Sequence, residues 1–161
     1  MKQQKKDKTN VMRLLDAAGI SYRVQEYEVD ENDLSGIHVA NQIGEDPDSV
    51  FKTLVLKGEK RGYLVCCIPV AEELDLKKAA KAVGEKSLEM IHVKDINQIT
   101  GYIRGGCTAV GMKKQYKTVI DGSAQELSTM IVSGGRIGSQ IELTPENLAK
   151  AANAVFAEII A

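Results

Sequence analysis

"SVFKTLVLKG", residues 49 to 58, decides the fold. Val50, Phe51, Leu54, Val55 and Leu56 leave almost no polar side, which is the pattern of a strand buried on both faces. "GYLVCCIPV", residues 62 to 70, gives a second strand of the same kind, and "EKR" with a glycine on each side joins the two as an antiparallel hairpin. Lys52 stands among these apolar positions, with Thr53 beside it. An unpaired buried ammonium is costly enough that the group must pair, lose its proton or reach water. Read from this stretch alone, Lys52 either starts the strand with its stem packed and its amine in solvent, or serves a function that the apolar strand surrounds.

Working outward, "KTNVMRLLDAAGI" carries Val11, Leu14, Leu15 and Ala18 at helical spacing, with Thr9 or Asn10 as N-cap and Gly19 as the stop. "SYRVQEYEV" alternates as a half-buried strand with a slip before Tyr27. "SGIHVANQIGEDPDS" holds a short helix ending near Gly44. "DLKKAAKAVG" is an Ala-rich helix, and a further short one is expected in "HVKDINQITG". "GYIRGGCTAVGMKK" has too many glycines for a strand interior and reads as a loop. "KTVID", "STMIVSGG" and "GSQIEL" give three strands, and "TPENLAKAANAVF" a helix capped by Thr144 with Pro145 in its first turn. Strands lie in neighbouring pairs, so the expected class is α+β: a mixed, mostly antiparallel sheet with helices packed on it.

At 161 residues the chain is expected to form one domain, 1–161, with a basic, flexible lead-in over 1–8. Hydrophobic residues at 43% and charged residues at 27% suit a globular protein, and no apolar run approaches a membrane span, so a cytoplasmic location is expected. The lead-in runs into a helical pattern rather than an apolar stretch and does not read as a secretory signal. Cys66, Cys67 and Cys107 match neither a disulfide scaffold nor a zinc or redox motif, and His38 and His92 are far apart, so no metal or cofactor is expected. A net charge of −1 argues against broad nucleic-acid binding but permits a local basic face. Lys77, Lys78 and Lys81 on one helix, with Lys113, Lys114 and Lys117 after the glycine loop, are its candidate members. A solvated lysine face is the plainer reading of the same residues.

Two glycine stretches could carry chemistry beside Lys52. "TGYIRGGCTAVG" lacks the spacing of a phosphate loop or a dinucleotide fingerprint. "VSGGRIGSQIEL" puts Ser133, Gly134 and Gly135 directly after a strand, where consecutive N–H groups could address one acceptor, or simply form a hairpin turn.

Taken with "VFKTLVL", "IPVAEELDLKKAAKAVGEKSLEM" and the close "TVIDGSAQELSTMIVSGGRIGSQIELTPENLAK", these stretches resemble the YbaK-type aminoacyl-tRNA deacylases, relatives of the editing domain inserted in bacterial prolyl-tRNA synthetases. The likeness runs from about Ile20 to the C-terminal helix. It implies a six- or seven-stranded, barrel-like mixed sheet with flanking helices, and a trans-editing hydrolase acting on mischarged tRNA, for this branch cysteine on proline tRNA. It implies Lys52 as the catalytic residue, with Phe51 and Thr53 flanking it at the substrate and Tyr27 lining the pocket. Ser133, Gly134 and Gly135 would hold the aminoacyl end. Gly105 and Gly106 open the family's Gly-x-x-x-Pro loop, in which Ala109 stands where proline is usual. Gln140 stands where some relatives carry aspartate. In the family the substrate's own thiol attacks its ester, so the enzyme supplies position and charge. Mischarged tRNA is the implied partner, together with a prolyl-tRNA synthetase. A noncatalytic tRNA- or synthetase-binding module of the same fold is the alternative that the two departures raise.

Overall fold

The computed structural model describes residues 8–29, 32 and 35–161. The lead-in expected over 1–8 lies outside them except for Lys8. In chain order the described residues form α1 (Asn10–Ala17), β1 (Arg23–Glu26), α2 (Gly36–Ile43), β2 (Phe51–Gly58), β3 (Gly62–Pro69), α3 (Leu76–Val83), β4 (Leu88–Met90), α4 (Ile96–Thr100), β5 (Lys117–Asp121), β6 (Met130–Arg136), β7 (Ser139–Leu143), α5 (Pro145–Ala152) and β8 (Ala154–Ala157). No helix among them is long and apolar enough to cross a membrane.

The apolar hairpin sits in the middle of a five-stranded sheet ordered β4-β2-β3-β5-β8, beside a three-stranded sheet ordered β1-β7-β6. Pairing is antiparallel except at β3–β5 and β5–β8. This is the expected α+β class, but the sheet does not close into a barrel. Among the described residues one parallel bridge, Val50 to Ile131, joins the two sheets by strand pairing.

Burial explains the arrangement. Phe51, Val65, Cys67 and Ile120 face the three-stranded sheet and pack with α1, α5, Met130, Val132 and Ile141. Leu56, Leu64, Cys66, Ile68 and Val119 point the other way, under Ala79, Ala80 and Val83 of α3. The central strands therefore have no polar side, as their sequence requires. A third cluster, Ala40, Val50, Val70 and Ile131, seats α2 over the junction of the sheets.

The structure corrects three local expectations. The last helix stops at Asn153, which takes a left-handed φ of 53°, and the β-formers Val155 and Phe156 then pair with β5 as β8. Leu88–Met90 forms β4 on the edge of β2. On β1 the alternation misleads, since Val24 is 44% exposed: β1 is an edge strand of the smaller sheet, and little covers that face.

The β2–β3 turn is fixed from outside. Glu85, just past α3, accepts the backbone N–H of Arg61 at 2.7 Å and that of Lys60 at 3.1 Å. A Cβ on Gly58 would stand 2.5 Å from the Glu85 carboxyl carbon, so the carboxylate lies where only glycine leaves room. Burial pushes the Glu85 carboxyl up, but the backbone bonds from Arg61 and Lys60 and the Arg61 charge outweigh it, and its pKa lies below the ordinary value. A lowered folded pKa stabilises above the unfolded value and loses that contribution as pH falls through the folded one. Glu85→Gln should melt below wild type at pH 7. The gap should close as pH falls below ~4, which paired thermal melts across pH 3 to 7 will measure.

Candidate active site

The site follows from the parting of two strands. β2 and β6 meet at Val50 and Ile131, where the Ile131 N–H donates to the Ser49 carbonyl at 2.9 Å. β6 then swings away through an irregularity between Ser133 and Arg136, with Gly135 at φ 101°. On the same edge of β2 the next neighbour arrives at Val55, whose carbonyl accepts the Ile91 N–H at 3.3 Å. The gap between these two contacts opens into a cavity of about 330 Å³. Its floor is Phe51–Val55 of β2. Ser133 and Gln140 line it from the smaller sheet, Val39 from α2, Val93 and Ile96 from the segment after β4, and Arg104, Gly105 and Cys107 from the glycine loop.

Lys52 is half-buried in this cavity and, among the described residues, has no hydrogen-bond or ion-pair partner. Of the two sequence readings, a packed stem with its amine in solvent or a function that the apolar strand surrounds, the second gains a space for a ligand beside the side chain. Arg104 lines the same cavity from an exposed position, also without a partner among the described residues. Gln140 is 6% exposed, and its side-chain amide bonds to none of the described residues. The Ser133 hydroxyl oxygen accepts the Gly135 N–H at 3.2 Å, leaving its own proton to donate. The chamber thus offers donors and two cations in a partly desolvated space, which suits an electron-rich group whose oxygen gains charge during reaction.

The glycine loops form walls rather than contacts. A Cβ on Gly106 would stand 3.0 Å from the Arg136 Cα, so the two loops rest backbone on backbone. A Cβ on Gly135 would meet Val11 at 2.8 Å, and the Thr9 hydroxyl donates to the Gly134 carbonyl at 2.6 Å while accepting the Met12 N–H at 3.2 Å as the cap of α1. Ala109 lacks proline's fixed φ, yet it and Val110 are buried in the core, and the Tyr102 hydroxyl donates to the Val110 carbonyl. Packing and that bond hold the loop.

Of the residues named from sequence, the structure brings Phe51, Lys52, Thr53, Gly105, Ser133 and Gln140 to the cavity. It does not bring Tyr27, Gly106, Gly134 or Gly135 to the lining. Tyr27 follows the end of β1, and its N–H donates to the Gly138 carbonyl at 3.0 Å, which ties it to the β6–β7 turn. None of the six lysines lines the cavity. Lys78 pairs with Glu158 at 3.2 Å, and Lys113 donates to the Gln98 carbonyl at 3.1 Å, while Lys77, Lys81, Lys114 and Lys117 are exposed. Arg104 and Tyr102 escaped the sequence reading. The signal was present in "GYIRGG", where a cation and an aromatic interrupt the glycines.

A model of the aminoacyl-tRNA editing domain matches residues 35–151. EbsC of Enterococcus faecalis, named for deacylation of Cys-tRNA(Pro) and Cys-tRNA(Cys), is 47% identical over 158 residues, 98% of this chain and 96% of its own. YwhH of Bacillus subtilis is 26% identical over 111 residues, 69% of this chain and 70% of its own. A crystal structure named for trans-editing beside prolyl tRNA synthetase shares the fold, with a TM-score of 0.81 at 22% identity over 96% of this chain and 99% of that one.

Burial pushes the thiols of Cys66 and Cys67 up to about 12 and that of Cys107 up to about 11. All three are protonated near neutrality and make poor nucleophiles. Alkylation of the native protein by iodoacetamide at pH 8 should be slow and confined to Cys107, the thiol at the cavity, with Cys66 and Cys67 labelled only after denaturation. Peptide mass mapping reads the order.

Proposed function

The chain belongs to the aminoacyl-tRNA editing family, and from that premise we propose that it is a trans-editing hydrolase that clears mischarged tRNA, with cysteine attached to proline tRNA as its substrate. The unpaired Lys52 in the cavity between the parted strands supports this reading most directly. The aminoacyl end enters the chamber, and the carbonyl oxygen, which gains charge when attacked, is met by the Lys52 ammonium. The substrate's thiol supplies the nucleophile. Its sulfur bonds to its own carbonyl carbon, the bond from that carbon to the ribose oxygen breaks, and the thiol proton passes to the ribose oxygen. The products are free tRNA and a four-membered thiolactone, which water opens to cysteine. Holding sulfur and carbonyl at attack distance is the protein's main contribution.

Arg104, exposed on the cavity lining, would meet a phosphate of the terminal nucleotides. The exposed Lys77, Lys81, Lys114 and Lys117 would contact phosphates farther along the tRNA. A prolyl-tRNA synthetase releasing the mischarged product would be the presenting partner in the cytoplasm.

Deacylation of a panel of misacylated tRNAs tests the reading, and binding without turnover of any of them would favour a noncatalytic module. Lys52→Ala should remain folded by circular dichroism and lose about 10²–10³-fold in single-turnover rate. Lys52→Arg should also be slow, because a planar guanidinium displaces the carbonyl. Seryl ester on the same tRNA should be cleared far more slowly than cysteinyl ester, since a hydroxyl ionises less. Equal rates for the two esters would remove the substrate thiol from the mechanism. Charge reversal at Lys114 and Lys117 should weaken tRNA binding and flatten its salt dependence, and an unchanged slope would remove those lysines from the interface.

A further inference from the structure

The backbone of β2 is itself incomplete at the cavity. In an antiparallel strand both backbone groups of a residue point to the same edge, and successive residues alternate edges. The Val50 carbonyl accepts the Val70 N–H at 2.8 Å beside β3, so Lys52, Leu54 and Leu56 also turn to β3. Ser49 and Val55 use the opposite edge, toward Ile131 and Ile91. Thr53 shares that opposite edge. Strand pairing there stops at the Val50–Ile131 bridge and resumes only with β4 at Leu56–Met90, so no described strand pairs with Thr53 on that side. From Phe51 to Val55 the opening spans about 13 Å of edge, at ~3.3 Å per residue. Its floor is the floor of the cavity.

We propose that this edge binds the aminoacyl group as a one-residue strand: the Thr53 N–H donates to the ester carbonyl and the Thr53 carbonyl accepts from the α-amino group. The inference rests on the deacylase reading and names how that site recognises its substrate. An aminoacyl ester is one residue with an amine and a carbonyl at peptide spacing. In a parallel pairing a residue bonds to two different neighbours, whereas a hydrogen-bonded antiparallel pair lets one residue satisfy another in both directions. A single open residue therefore fits a single aminoacyl group in antiparallel orientation. Paired residues also share a face, so the acyl side chain would lie on the Thr53 face, which is turned toward the smaller sheet. Lys52 projects from the other face and approaches the ester from a different side. Recognition through main-chain groups fixes the acyl residue by its common atoms, leaving the chamber walls to choose its side chain.

The test compares two esters on one tRNA, cysteinyl and 3-mercaptopropionyl, which share thiol and carbonyl and differ by the amino group. Each rate is divided by the ester's spontaneous hydrolysis. Wild type should accelerate the cysteinyl ester about 10- to 100-fold more than the analogue, the loss expected for one hydrogen-bond partner. Thr53→Pro removes the N–H on the edge that β3 does not use, a position where proline is tolerated. It should keep a cooperative melt and lose activity on the cysteinyl ester by a similar factor. Equal acceleration of both esters by wild type overturns the edge pairing while leaving the deacylase reading intact, as does wild-type activity in a folded Thr53→Pro protein. No acceleration of the cysteinyl ester would overturn the reading and the inference together. If Thr53→Pro fails to fold, the ester comparison decides.

Discussion

One bridge organises this molecule. Where Val50 meets Ile131, two sheets that share a core are joined, among the described residues, by a single strand-pairing bridge. Both strands also have partners on their other edges, β2 in β3 and β6 in β7. They separate, and α2 covers the junction with Ala40 and Val39. The chamber is the space this separation leaves. Its location is a consequence of topology, and its chemistry comes from the residues that occupy the diverging edges.

That origin accounts for the position of Lys52. It occupies the second residue of β2, within the part of the strand that has lost its neighbour, so its amine can reach a ligand space without breaking the apolar layers on either side. One position further along would turn the side chain to the other face, toward Phe51 and Cys67. The glycines serve the same geometry. Gly106 allows one loop to lie directly on another, and Gly135 supplies a left-handed turn against α1. They shape the walls, and side chains nearby carry the polar groups.

The legible part of the fold was the part fixed by local pattern. The hairpin from Phe51 to Pro69 has no polar face and could only be central; Thr144 and Thr9 cap their helices as their positions suggest. What escaped depended on partners distant in sequence. Leu88–Met90 and Ala154–Ala157 are too short to announce themselves and are strands because β2 and β5 offer edges. The resemblance singled out both glycine loops, and Gly105 and Ser133 from them line the cavity, whereas Tyr27 lies off the lining because the Gly138 carbonyl of the β6–β7 turn holds its N–H. Arg104 and Tyr102 sit in a glycine-rich run with no regular period, so the local pattern does not mark that one turns to the cavity and the other holds the loop.

The clasp between Thr9 and Gly134 bears on how the protein can be cut. The segment that defines the family, residues 35–151, contains Lys52, both glycine loops and Gln140, yet its boundaries are drawn by shared sequence rather than by mechanical support. Outside it lie α1, whose cap holds the Gly134 carbonyl and whose Val11 backs Gly135, and β8, which covers the edge of β5. A fragment trimmed to the shared segment would keep every polar group at the chamber and lose the props behind one wall. Here the smallest unit that carries the chemistry is shorter than the smallest unit that can hold it in shape.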